Sequence, residues 1–174
     1  GAVVGTLTAT DIDSGDSHTY ALSGTDKDSF EIVDGQLKLN AAVSADYEDQ
    51  STYSVTVTAT DADGLSYSQA IIMNVTNENE TPTDILLSSS SVQENSAAGT
   101  VVGNFSAADP DVGDTHNFSV VGGTGYNLFS INASNQLVVK SGASLDYETL
   151  SQPTVTIRTT DSGGLTFDKA FTVS

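Results

Sequence analysis

Residues 109–116 read Asp109-Pro110-Asp111-Val112-Gly113-Asp114-Thr115-His116, and the same frame stands earlier as Asp11-Ile12-Asp13-Ser14-Gly15-Asp16-Ser17-His18. On either side of this pair the matches continue. Val3-Val4-Gly5 returns as Val101-Val102-Gly103, Gln36-Leu37 as Gln136-Leu137, and Asp46-Tyr47-Glu48 as Asp146-Tyr147-Glu148. Val55-Thr56-Val57 returns as Val155-Thr156-Ile157, while Asp61, Gly64 and Leu65 return as Asp161, Gly164 and Leu165. The offset drifts only from 98 to 100, so the chain holds two tandem copies of one unit of ordinary domain size.

Each copy has the pattern of short strands. Tyr53-Ser54-Val55-Thr56-Val57-Thr58-Ala59 and Val155-Thr156-Ile157-Arg158-Thr159 alternate with a period of two, as half-buried strands do. Phe30-Glu31-Ile32-Val33, Asp34-Gly35 and Gln36-Leu37-Lys38-Leu39 predict a hairpin around a glycine-compatible turn. No window carries a convincing amphipathic helix. About seven short strands per copy predict an all-β fold, two tandem antiparallel Greek-key β-sandwiches of immunoglobulin-like type. The polar run Asn77-Glu78-Asn79-Glu80-Thr81-Pro82-Thr83 follows the apolar strand Ala70–Val75 and ends in a proline, which reads as a short linker. Residues 1–80 are therefore the first repeat and 81–174 the second. Ile85-Leu86-Leu87 and Val92-Gln93-Glu94-Asn95 read as an opening strand of the second repeat that the first repeat lacks.

Charge narrows the function classes. Against 23 Asp+Glu there are 5 Lys+Arg, a formal net charge of -18, and such a surface repels nucleic acid and anionic membranes. With 37% hydrophobic and only 16% charged residues the chain still has material for a core. There is no cysteine, hence no disulfide framework, thiolate metal site or cysteine nucleophile. No run approaches the roughly 20 apolar residues of a membrane span, so direct membrane insertion is not expected. Gly1-Ala2-Val3-Val4-Gly5 lacks the basic start of a signal peptide, and the chain is expected to be an internal piece of something longer.

The acids fall at strand ends. In extended backbone residues i and i+2 project to one side, so Asp11 and Asp13 can point at one spot, and Asp61 closes a strand able to reach the same end. Two unit charges about 4 Å apart repel by roughly 4 kcal/mol at an effective dielectric near 20. Such grouping makes sense around a cation or where loop geometry holds the groups apart. A single Asp-x-Asp is ordinarily a solvated turn, but here the spacing returns in both copies.

In this order and spacing Gln93-Glu94-Asn95, Asp-Tyr-Glu, Asn77–Pro82, Asp-x-Asp-x-Gly-Asp and Ala59-Thr60-Asp61-Ala62-Asp63-Gly64 resemble the calcium-binding cadherin repeats, more closely the cadherin-type modules of bacterial surface proteins and adhesins. The resemblance spans essentially the whole chain. It implies Ca²⁺ between consecutive repeats. At the middle junction the implied ligands are Asp46 and Glu48, the linker residues Asn79 and Glu80, and Asp109, Asp111 and Asp161. Asp11, Asp13 and Asp61 would face a preceding module, and Glu94, Asp146 and Glu148 a following one. It further implies a non-enzymatic, calcium-dependent adhesion or stalk segment of an extracellular or cell-surface bacterial protein, with neighbouring repeats and another copy of itself as partners.

Other metal chemistries fit less well. An EF-hand would need a glutamate at its twelfth position, where the two Asp frames carry Leu22 and Val120. His18 and His116 read as structural or exposed residues rather than zinc ligands. The sequence has no nucleophile elbow, phosphate-binding loop or His-Glu-x-x-His, and repeated carboxylate pairs do not read as an active site. A calcium-dependent polysaccharide-binding module remains the alternative. It would need aromatic platforms, yet Trp is absent, Tyr47 and Tyr147 are expected to be buried, and Tyr126 is the one loop candidate.

Overall fold

The computed structural model describes residues 1–13 and 15–174. It separates into two compact units, Gly1–Glu78 and Asn79–Ser174. Unit 1 contains β1 (Val3–Thr6), β2 (Thr19–Ser23), β3 (Phe30–Val33), β4 (Gln36–Leu39), β5 (Thr52–Thr60) and β6 (Ser66–Asn74). Its two sheets have the strand orders β1-β4-β3 and β2-β5-β6, every pairing antiparallel. In the hairpin β3–β4, Asp34 and Gly35 both take positive φ, 52° and 70°, the paired left-handed geometry that matches strand twist.

Unit 2 contains β7 (Asp84–Leu87), β8 (Val101–Ala108), β9 (Asn117–Gly122), β10 (Phe129–Ile131), β11 (Gln136–Val139), β12 (Thr154–Thr160) and β13 (Thr166–Thr172). Here the sheets are β10-β11-β8-β7 and β13-β12-β9, again antiparallel throughout. The single helical element among the described residues is a 3-10 turn at Lys27–Ser29. The all-β, antiparallel sandwich expected from the period-two pattern is the fold that forms.

Alternation supplies each core. On β5, Tyr53, Val55 and Val57 turn inward with Phe30, Leu37 and Leu39; on β12, Val155 and Ile157 turn inward with Phe129, Leu137 and Ile85. Burying such side chains contributes about 1.5–3 kcal/mol each before entropy is subtracted.

Two local expectations change. The opening strand of the second repeat ends at Leu87, and Val92–Asn95 forms no strand. A serine run lies between, Asn95 sits at φ 58°, and the chain has moved to the C-terminal edge, where Val92 N donates to Ser174 O at 2.8 Å. Tyr47 and Tyr147, expected inside, are 42% and 63% exposed. Asp46 Oδ1 accepts from Glu48 N and Asp49 N, and Asp146 Oδ1 from Glu148 N and Thr149 N. The motif is thus wound into a turn, and the tyrosine between its acids projects outward.

Candidate functional site

The β12–β13 loop shows how an aspartate can serve a turn and a ligand site together. Asp161 N donates to Leu165 O at 3.1 Å, Leu165 N donates back to Asp161 Oδ1 at 2.7 Å, and Gly164 closes the loop at φ 92°. Oδ1 therefore fixes the loop, leaving Oδ2 to point elsewhere. In unit 1 the same loop recurs, with Asp61 N–Leu65 O at 3.0 Å, Leu65 N–Asp61 Oδ1 at 2.8 Å and Gly64 at φ 89°.

In unit 2 the linker residues close over this carboxylate. Asn79 Nδ2 donates to Asp161 Oδ2 at 3.0 Å, Glu80 N donates to Asp111 Oδ2 at 2.9 Å, and Glu80 Oε2 is buried. Asp161 is only 4% exposed. A buried carboxylate is costly unless paired or hydrogen-bonded, and this one accepts from two neutral donors, Asn79 Nδ2 and Leu165 N. Carboxylate and amide oxygens of this kind are hard ligands of the type that Ca²⁺ takes.

Asp109 sits in a turn of its own after β8. Its Oδ1 accepts from Asp111 N at 3.0 Å and its Oδ2 meets His116 Nε2 at 2.8 Å. One ligand atom each of Asp109, Asp114 and His116 lies within 4.8 Å of the others. Asp114 is held by Thr115 N and Ser162 N, and its carboxyl lies below the usual range, first because of the Ser162 side chain and then the Thr115 N–H. Unit 1 repeats the turn and the histidine contact, with Asp11 Oδ1 accepting from Asp13 N at 3.0 Å and Asp11 Oδ2 meeting His18 Nε2 at 3.1 Å, but there the group within the same limit is Asp11, Asp16 and Asp61. The Asp13 N–H, then His18, hold the Asp11 carboxyl below its ordinary value. Asp13 itself is exposed.

The remaining expected residues lie at the Asp-Tyr-Glu turns. In unit 1 Asp46 and Glu48 share an exposed turn. In unit 2 Thr149 lowers the Asp146 carboxyl through its hydroxyl and its N–H, and Glu94 Oε2 accepts from Tyr147 N at 3.5 Å, which brings Glu94 to the Asp146–Glu148 turn.

Sequence reasoning placed Asp16 and Asp114 at the same acidic ends but left them, and the two histidines, outside the expected ligand set. The signal was available, since Gly-Asp-x-His follows Asp-x-Asp in both copies. Tyr126, the aromatic candidate for sugar stacking, has Lys140 Nζ 5.7 Å from its ring centre, so a cation already takes one ring face.

A sequence model of the cadherin domain matches residues 1–76 and 88–173. Human Cadherin-related family member 2 is 29% identical over 177 residues, covering 92% of this chain and 14% of the relative. The Drosophila melanogaster Protocadherin-like wing polarity protein stan is 32% identical over 175 residues, covering 94% of this chain and 5% of the relative. The chain therefore spans only a small part of these relatives' length. The crystal structure of human Protocadherin-24 EC1-2 superposes with a TM-score of 0.76 at 24% identity, over 97% of this chain and 85% of that one, a likeness of fold.

Proposed function

This chain belongs to the cadherin family, and from that premise we propose that it is a calcium-dependent structural and adhesion segment of an extracellular, multi-repeat surface protein. The observation that carries the reading is the return, in both units, of the same two hydrogen-bonded acidic turns, those of Asp11 and Asp61 in unit 1 and of Asp109 and Asp161 in unit 2. An active site normally occurs once, in a pocket. A repeated acidic loop pair belongs to a repeated task.

Calcium supplies positive charge to oxygens that otherwise repel. In unit 2, Asp109, Asp111, Asp161, Asn79 and Glu80 are the residues we assign to hold it, with Asp46 and Glu48 completing the junction. Asp11, Asp13 and Asp61 serve a preceding repeat, and Glu94, Asp146 and Glu148 a following one. The chain's own part is already visible. Backbone N–H groups fix one oxygen of Asp109 and of Asp161, and Glu80 N anchors the linker to Asp111. Cancelling the repulsion rigidifies the linker and sets the angle between repeats.

Partners are neighbouring repeats and, through homophilic contact, a second copy. No helix among the described residues is long and apolar enough to cross a membrane. The relatives are human and Drosophila proteins, so they lend no support to a bacterial setting, nor does any observation favour a polysaccharide partner. The test is small-angle scattering with calcium and with chelator. The expected result is a longer, less variable particle in calcium, with calcium-dependent self-association at higher concentration; identical scattering in both buffers refutes the rigidification.

A further inference from the structure

The loop that carries Asp109 crosses between the two sheets of unit 2. β8 (Val101–Ala108) belongs to the sheet β10-β11-β8-β7, and β9 (Asn117–Gly122) to the sheet β13-β12-β9. Asp109 is the first residue after β8 and His116 the last before β9, and His116 Nε2 meets Asp109 Oδ2 at 2.8 Å. Both side chains are enclosed, at 12% exposure for His116 and 4% for Asp109. An ionised carboxylate has no proton to give, so Nε2 is the donor and the imidazole carries its N–H there. In unit 1 His18 stands immediately before β2, and its Nε2 reaches Asp11 Oδ2 at 3.1 Å, again from seven residues away.

These contacts complete the hold on each aspartate. Asp109 Oδ1 accepts from Asp111 N and Asp11 Oδ1 from Asp13 N, so in both units the turn's own backbone takes one oxygen and the imidazole takes the other. Each oxygen keeps a second lone pair for a cation. A donor is needed because a like charge stands close: one ligand atom each of Asp109, Asp114 and His116 lies within 4.8 Å of the others. Without it the Asp109 carboxylate turns away from that of Asp114, since rotation relieves the repulsion between them. A lysine or arginine in the same place would hold Asp109 by its own charge and compete with the ion. A neutral imidazole N–H holds the carboxylate without that competition.

We propose that His116 is a positioning residue for calcium in unit 2, with His18 its counterpart in unit 1: the imidazole sets the aspartate carboxylate in its ligating orientation before an ion arrives. This role rests on the calcium reading proposed above, and it adds a residue outside the ligand set that controls affinity. Hydrogen-bond partners of ligating groups commonly change metal affinity by about 10–100-fold when they are removed. Anchoring matters as much as donation. His116 is fixed by its place at the start of β9, and a site built on strand ends is held more precisely than one on loops alone. A mere staple between the two sheets would behave differently, because it would support the fold equally with and without calcium.

The test compares His116→Gln, whose amide keeps a neutral N–H at about the reach of Nε2, with His116→Met, which keeps bulk and loses the donor. Calcium is titrated into the intact chain and followed at the amide signals of Val112–Thr115 and Ser162–Gly164, and each variant is unfolded thermally in chelator. The expected result is about tenfold weaker calcium binding at these signals in His116→Met, with His116→Gln within about threefold of the parent. The two variants should melt alike in chelator. In the parent, a histidine nitrogen spectrum in chelator should show the His116 proton on Nε2. Equal calcium affinity in parent and His116→Met, an equal loss in both variants, or a neutral ring protonated on Nδ1 overturns the proposal. Variants that lose stability in chelator but not affinity overturn it too, and make His116 a staple. A parent without calcium-dependent shifts refutes the calcium reading and this role together, whereas a parent and a His116→Met variant that bind equally refute the role alone.

Discussion

Asn79 donates through Nδ2 to Oδ2 of Asp161 at 3.0 Å, so the linker amide is tied to the second oxygen of a carboxylate whose first oxygen already holds the β12–β13 loop. This bond fixes where the linker begins relative to the loops of unit 2. It also engages the second oxygen of Asp161 with a neutral donor, the contact that a cation bound as proposed would exchange.

Asp161→Asn keeps an oxygen for Leu165 N but removes the charge. Calcium affinity measured by titration calorimetry is expected to fall at least tenfold, equivalent to about 1.4 kcal/mol. Thermal stability in chelator should change far less than the calcium-linked gain. Equal calcium affinity in variant and parent would remove Asp161 from the ligand set.

Gly163 lets Asn79 approach. A Cβ at this position would run into the carbon, oxygen and nitrogen of the Asn79 amide. Gly163→Ala therefore displaces the Asn79 amide from Asp161, and the expected readout is weakened calcium binding with the β12–β13 strands intact by amide NMR.

The two units should unfold with separate sensitivities, because each has its own core. Leu137 is 0% exposed in unit 2 and Leu37 1% exposed in unit 1. Truncating either to alanine removes methyl groups and leaves a cavity, a cost of about 2–5 kcal/mol. By calorimetry in chelator, Leu137→Ala and Leu37→Ala are expected to lower different components of the unfolding profile; a common shift of one transition contradicts this.

Acid should weaken unit 2 through carboxylates outside the calcium groups. Lys169 beside Asp84 and Arg158 beside Asp168 hold both carboxyls below their ordinary range. A depressed folded value means the stabilisation is present above the unfolded pKa, near 3.9 for aspartate, and is lost as pH falls through the lower folded value. In chelator, Lys169→Met is expected to reduce the drop in melting temperature between pH 5 and 3. A drop as large as the parent's would show that the Asp84 pair contributes nothing to acid sensitivity.

Much of the fold was legible because its signals are local or repeated. Period-two alternation located β5 and β12, and Asp34-Gly35 located the β3–β4 hairpin, since only residues tolerant of positive φ close so tight a turn. The paired loops of Asp61 and Asp161 were marked by their recurrence. Less legible were features set by side-chain geometry. Nothing in Asp-Tyr-Glu says that its first acid folds into a turn that turns Tyr47 and Tyr147 outward. Nor does the spacing of His18 and His116 state that each imidazole reaches back seven residues to an aspartate oxygen.

If the repeated carboxylates bind calcium in the folded chain, thermal unfolding of the intact chain differs between 10 mM calcium and chelator. With dissociation constants near 10⁻⁴ M, as in the tighter extracellular modules, each site adds about 2.7 kcal/mol at roughly 100-fold saturation. For a domain of this size that corresponds to a rise of about 10 °C or more in melting temperature, reduced in the Asp161→Asn variant. An unchanged melting temperature in calcium would mean that the repeated carboxylates do not bind the ion.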